Sequence, residues 1–457
     1  MSAEKFIKAQ WRFIAFSAIS YAFFYIARKN LSMAQPAMLE EGVISTYAIG
    51  IIMTVHGVLY GLSRFINGFW ADRLNGRIFM AVGLALSAAT NFLFGCSSLT
   101  LLFALFWILN GWAQGMGFPP CAKMLAHWIH PKELATKMSV WNASHSVGAV
   151  LALGLCSALF ALGFGWRWCF WVPAALAVAA AVFTFLCVKE TPVEAGLPPL
   201  DVGNGERIPR AKRVAEGDAL AGVGTGNGGR IPRAKRVAEG DALAGVETGN
   251  GLTAAERRHL VFGNRVIWLV ALANFFVYVV RFGFLDWGPT FLKQMKGIPV
   301  AKGGLMIIAF ELAAVVGTIC AGWVTDKVFK GRGCRTGVFF MLFAALFAFG
   351  FWSLPGGAPV WQATLLLMGA GFCIYGPQAL TGIIVANQAT KEAAALATGF
   401  AGIMGYLSTT VSGIGIAFIK ERFGWGVALC SIAAFAIVGM VLFLCAWSAK
   451  ADGYASK

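Results

Sequence analysis

Apolar stretches long enough to cross a bilayer recur along the whole of this 457-residue chain. They occupy approximately 11–36, 47–71, 78–98, 99–127, 133–162, 168–188, 264–291, 303–325, 336–354, 359–389, 393–420 and 424–448, about twelve in all. Roughly 17–25 apolar residues span the hydrocarbon core as a helix. Every backbone N–H and C=O in lipid must be paired inside the protein, so repeated spans of this length imply a helical bundle. Charged residues make up 13% of the chain, about half the share in soluble domains. The expectation is an all-α membrane protein. The first run follows Lys5, Lys8 and Arg12, but it is too long for a removable leader and lacks a small-residue cleavage site. It is expected to be the first span. The ten cysteines are scattered through the spans without a Cys-x-x-Cys pair and are expected to be small core residues.

Lys and Arg in the loops give an orientation. With the N-terminus in the cytoplasm, the inner loops hold Arg73 and Arg77, Lys132 and Lys137, and Lys327, Lys330, Arg332 and Arg335. The outer loops hold fewer cations, so both termini are expected in the cytoplasm. The net charge of +16 is accounted for by topology and anionic lipid, which argues against a nucleic-acid partner. The main interruption is 189–263, where "RIPRAKRVAEGDALAGV" occurs at 207–223 and again at 230–246. Too poor in apolar residues to fold alone, it is expected to be a flexible cytoplasmic linker between a half at 1–188 and a half at 264–457.

A second repeat carries more information. "GFWADRLNGR" at 68–77 follows the second span and "GWVTDKVFKGRG" at 322–333 follows the eighth. Both place Gly four residues before an Asp–cation pair: Asp72 with Arg73, and Asp326 with Lys327. The pattern resembles the major facilitator signature. There Gly is expected to allow close helix approach, and Asp to cap a helix or pair with a base.

The same spacing relates two intramembrane arginines. Tyr25 and Arg28, moved on by 253 positions, fall on Tyr278 and Arg281. Residues three apart share a helix face, and pseudo-symmetric halves would bring both arginines to one central cavity. A buried cation costs a few kcal/mol or more. Helix 1 offers Arg28 no carboxylate, whereas Asp286, five residues from Arg281, could serve that residue. Two unneutralised guanidiniums repel each other until an anion sits between them. A phosphate group, with up to two charges, fits two planar forks of donors best. The expected ligand is a phosphate ester. No nucleophile–base or metal constellation is present to suggest an enzyme, and no cofactor is implied.

The stretches "FFYIARKN" (23–30), "YGLSRFINGFWADR" (60–73), "GWAQGMGFPPC" (111–121), "SVWNASHSVG" (139–148), "NFFVYVVRFGFLDW" (274–287), "IYGPQALTG" (374–382) and "GFAGIMGYL" (399–407) resemble the organophosphate:phosphate antiporter family of the major facilitator superfamily. The resemblance implies the major facilitator fold, with about twelve transmembrane helices in two pseudo-symmetric six-helix halves, acting as a monomer. It implies exchange of an organic phosphate, glycerol-3-phosphate or else a hexose-6-phosphate, for inorganic phosphate by alternating access. It also implies that Arg28 and Arg281 clamp the phosphate, that His145 and Asn142 on one face of helix 5 meet the substrate, and that Tyr21, Tyr25, Tyr60, Tyr278, Tyr375, Tyr406 and Glu311 line the cavity. Arg64 stands where the family commonly has Lys. Asp72, Arg73, Asp326 and Lys327 are implied to act in gating. His56, His127, His130 and His259 are expected to be loop, helix-end or packing residues. The alternative is a sensor of the same architecture that binds sugar phosphate and signals to a membrane kinase.

Overall fold

A computed structural model describes residues 3–200, 254–355 and 357–450. The duplicated segment at 207–246 lies outside the described residues. The first block holds α1 (Ala3–Glu40), α2 (Thr46–Arg73), α3 (Gly76–Cys96), α4 (Thr100–Gln114), α5 (Phe118–Trp128), α6 (Pro131–Asn142), α7 (Ser144–Ala161) and α8 (Trp168–Cys187). The second holds α9 (Ala254–Phe262), α10 (Arg265–Lys296), α11 (Val300–Trp323), α12 (Gly333–Ser353), α13 (Val360–Leu407) and α14 (Ile416–Cys445). Among the described residues there is no strand.

Ten helical stretches are long and apolar enough to cross a membrane. The 38-residue α1 adds another crossing, since it carries Arg28 and Lys29 within an otherwise apolar second half. The stretch Leu396–Cys445 is 50 residues long, about 75 Å of helix and more than twice the core of a bilayer. It turns back at Gly424, whose φ of 81° and ψ of 174° no helix accepts. Counting that stretch twice gives the twelve crossings expected from the apolar runs.

Several crossings are broken where the sequence demands it. α4 stops at the run Gly115–Gly117, and two prolines occupy the first turn of α5, where a missing N–H costs nothing. α6 ends at Asn142 and α7 begins at Ser144, with a single turn residue, Ala143, between them.

The two sets of helices are tied together on the side away from the termini. Lys420 Nζ donates to Thr46 Oγ1 at 2.8 Å, the Ile414 N–H donates to Thr54 Oγ1 at 2.9 Å, and Lys293 lies 3.4 Å from Glu40. Small residues permit the approach: a Cβ on Gly50 would fall against Ala417 and Gly413, and one on Gly304 against Ser157 and Met33. The molecule is therefore sealed at the face opposite its termini.

Candidate functional site

α1 is held in place around Arg28 by a buried amide network. The Ala27 carbonyl accepts from Asn91 Nδ2 at 2.9 Å and from Asn110 Nδ2 at 3.0 Å. Asn30 Nδ2 donates to Asn91 Oδ1 and to the Cys169 carbonyl, both at 2.8 Å. Ser87 Oγ donates to Asn110 Oδ1 at 2.5 Å, and Gln114 Nε2 donates to Ser87 Oγ at 2.7 Å. Amides buried this way must find partners. Here they find one another, and so staple α1 to α3, α4 and α8.

Arg28 stands about 18 Å below the end of α1, and Arg281 about 22 Å below the end of α10, both measured toward the sealed face at 1.5 Å per residue. Arg28 Cζ lies 4.0 Å from the centroid of Tyr60 and 5.4 Å from that of Tyr25. Arg281 lies 4.4 Å over Tyr375 and 5.8 Å from Tyr278. The faces of these rings are negative and stabilise a desolvated cation by about 2 kcal/mol at most sites of this kind. They do not neutralise it. Among the described residues neither guanidinium has a carboxylate oxygen within 4.0 Å, and the buried Arg281 Nε has no hydrogen-bond partner.

The carboxylate near enough in sequence to serve Arg281 is engaged elsewhere. Asp286 Oδ1 is 2.9 Å from Lys29 Nζ, and its carbonyl accepts from Gln35 Nε2 at 2.6 Å. This ion pair joins α1 to α10 across the two sets of helices. Glu311, 2% exposed, accepts from the Tyr375 hydroxyl with both oxygens at 2.8 Å. One aromatic ring thus separates its charge from Arg281.

The remaining residues complete a ring. Arg64 Nη1 donates to the Tyr406 hydroxyl at 3.0 Å, and its guanidinium stacks on Phe118 at 4.2 Å. Tyr406 meets Tyr60 at 5.1 Å and Tyr278 at 6.2 Å between centroids. Tyr21 is buried against Trp141 and Tyr25. Tyr25 meets the His145 ring at 5.7 Å, and the charges of both Arg28 and Arg281 act on that ring. His145 Nδ1 is 2.5 Å from the Asn142 carbonyl. A carbonyl only accepts, so Nδ1 carries the proton and Nε2 is left for a ligand. Asn142 contributes that backbone carbonyl at the break between α6 and α7. Its side chain is exposed.

The signature residues make neither the ion pairs nor the close approach expected of them among the described residues in this conformation. Gly68 and Gly322 have open space where a Cβ would stand, so neither mediates close helix approach here. Asp72 and Asp326 are exposed, and neither is among the ion pairs of the described residues. Asn75, not Asp72, caps α3 by accepting from the Ile78 N–H at 3.2 Å. Arg73 lies 3.6 Å over Phe69 instead of pairing with an acid. Asp326 and Lys327 sit in a π-helical turn, Val324–Val328, that ends in left-handed Lys330 and Gly331.

Three groups escaped the sequence reading. Lys29 directly follows Arg28, yet its partner Asp286 is 257 positions away. The amides of α3 and α4 look like ordinary polar interruptions of apolar runs. His56, expected to be a packing residue, borders a chamber with Arg28, Lys29, Ser32, Asp286 and Thr409 on the sealed side of the arginines.

A family model described as Major Facilitator Superfamily matches residues 17–413. The glycerol-3-phosphate transporter of Bacillus subtilis is 33% identical, over 94% of this chain and 90% of that one. A probable hexose phosphate transport protein of Chlamydia pneumoniae is 32% identical, over 98% and 93%. The membrane sensor protein UhpC of Escherichia coli is also 32% identical, over 93% and 89%. Among solved structures, a bacterial homologue of the lysosomal transporter Spinster superposes with a TM-score of 0.74 at 14% identity, covering 98% of each chain.

Proposed function

The chain belongs to the Major Facilitator Superfamily, and from that premise we propose that it exchanges an organic phosphate ester for inorganic phosphate across a bacterial inner membrane. The observation that carries the reading is the pair of guanidiniums at matching depth, half-buried Arg28 and buried Arg281, each resting on tyrosine rings and neither paired with a carboxylate among the described residues. A phosphate bridges two such forks with charge-assisted hydrogen bonds and removes their mutual repulsion. The names of the Bacillus and Chlamydia relatives support phosphate esters as the cargo.

In this reading the halves 1–188 and 264–457 rock about the site, joined by the cytoplasmic segment 189–263, with both termini in the cytoplasm. A monomer suffices. Closing the halves around two unbalanced cations is costly and closing them around a loaded clamp is not, so reorientation requires a ligand in each direction. That is exchange. The cation beside the clamp contributes as well. A phosphate on Arg28 competes with Asp286 for Lys29 and so loosens the ion pair that joins α1 to α10. His145 Nε2 then accepts from a hydroxyl of the organic moiety, and the tyrosine hydroxyls donate to the ester oxygens.

The test is counterflow in liposomes. Excess inorganic phosphate should compete with labelled glycerol-3-phosphate, while glycerol and lactate should not. Uptake that ignores phosphate would end the antiport reading. The likeness to UhpC favours a second reading, a sugar-phosphate sensor. Binding of sugar phosphate without any exchange would decide for it.

A further inference from the structure

The chamber between Arg28 and the sealed face has a chemistry that a phosphate does not use. His56 is 7% exposed and its ring lies at 25° to that of Trp107, with 5.3 Å between centroids. Its Nδ1 is 2.9 Å from the Trp107 carbonyl, so Nδ1 carries the proton and Nε2 is a bare acceptor. That Nε2 is buried and has no hydrogen-bond partner. Two further groups lining the chamber also present lone pairs. Ser32, 3% exposed, spends its proton on the Lys29 carbonyl at 2.8 Å, and Thr409, 7% exposed, spends its own on the Tyr406 carbonyl at 2.8 Å. The chamber is thus lined both by cations, Arg28 and Lys29, and by lone pairs that lack a donor. A buried acceptor left empty is costly, so a site built this way favours a ligand that brings donors. Phosphate oxygens are acceptors and belong on the cations. Alcohol hydroxyls are donors and belong on His56.

We propose that His56, with Ser32 and Thr409, forms a hydroxyl-reading subsite that selects polyol phosphates over inorganic phosphate and over esters with plain alkyl chains. The inference rests on the phosphate reading of Arg28 and Arg281, which fixes where the head of the ligand sits. His56 in this role determines specificity and takes no part in holding the phosphate.

The experiment compares three ligands on the purified full-length protein: inorganic phosphate, n-propyl phosphate and glycerol-3-phosphate. His56→Asn keeps a donor to the Trp107 carbonyl and removes the acceptor at Nε2. It should bind glycerol-3-phosphate about tenfold more weakly, the scale of one desolvated neutral hydrogen bond, and leave phosphate and propyl phosphate unchanged. His56→Gln returns an acceptor near the Nε2 position and should recover most of the loss. The parent protein alone supplies a test that no misfolded variant can spoil: it should prefer glycerol-3-phosphate to propyl phosphate by about the same factor. Equal affinity of the parent for those two esters overturns the subsite. So does His56→Asn binding glycerol-3-phosphate like the parent, or weakening all three ligands alike. In those outcomes normal phosphate binding leaves the wider functional reading standing. A parent that binds no phosphate overturns both.

Discussion

The surroundings of the two arginines differ far more than their positions do. Around Arg28 the helix is tied to its neighbours through Asn30, Asn91, Asn110, Ser87 and Gln114. Around Arg281 it is packed dry. The position matching Asn30 is Gly283, where a Cβ would stand 2.9 Å from Ile432, and Val277, Val279 and Val280 are fully buried. Charge is handled differently as well. Arg28 leans on Tyr25 and Tyr60, whereas Arg281 shares the ring of Tyr375 with Glu311 on its far side. The repeat has kept the ligand-facing Tyr-x-x-Arg and let its support diverge. One arginine is fixed by directional bonds and left with bare charge. The other is fixed by packing and has its charge partly answered.

The largest expected effect breaks the directional support. Asn110→Leu strips one donor from the Ala27 carbonyl and leaves the Ser87 hydroxyl without its acceptor. It should destabilise the protein by about 2–4 kcal/mol, since an orphaned buried polar group costs about 1–3 kcal/mol on top of the bond lost. Asn274→Leu, in the dry half, removes one bond to the Ala401 carbonyl and should cost about 1 kcal/mol. Thermal unfolding in detergent measures both. Equal losses would erase the contrast in support.

A smaller effect tests the contrast in charge. A carboxylate one ring away from a guanidinium interacts with it by about 1–2 kcal/mol at an effective dielectric of about 20. Glu311→Gln should therefore tighten phosphate binding by roughly fivefold to thirtyfold and slow exchange, because release becomes the harder step. Weaker phosphate binding by the variant would mean that Glu311 serves the fold of Tyr375 rather than the charge of the site.

The smallest effects compare the two tyrosines. Tyr25→Phe and Tyr278→Phe each remove one neutral hydroxyl and keep the ring. Each should weaken phosphate binding by about threefold to tenfold. Tyr25 faces His145 and Tyr278 faces Tyr406, so a loss confined to one of them would sharpen the asymmetry.

Much of this was legible in the chain. Apolar runs gave the crossings because a bilayer sets their length, and even the turn at Gly424 fell at an expected boundary. The 253-residue spacing found both arginines and both tyrosines because it is written in the covalent order. What stayed hidden depends on how helices rotate against each other. A polar residue in an apolar run reads the same whether it faces a cavity, as His56 does, or a neighbouring helix, as Asn91 does. Asp286 was matched to Arg281 because five residues separate them, but helix rotation delivers it to Lys29 from the other half. Gly68 and Gly322 were expected to mark tight packing, and in this state they face open space. A residue pattern names a surface without saying which conformation uses it.

The central claim is that one phosphate engages both arginines, and phosphate affinity of purified, folded lysine variants tests it most directly. Arg28→Lys and Arg281→Lys keep the charge but lose the bidentate fork. Each should cost about 1.5–3 kcal/mol, a tenfold to hundredfold loss. The double variant should fall short of the sum because the two residues share one ligand. Arg422→Lys, exposed beyond the sealed face, should change nothing. Parent-like phosphate binding by both single variants would contradict the account, and would make these two arginines structural.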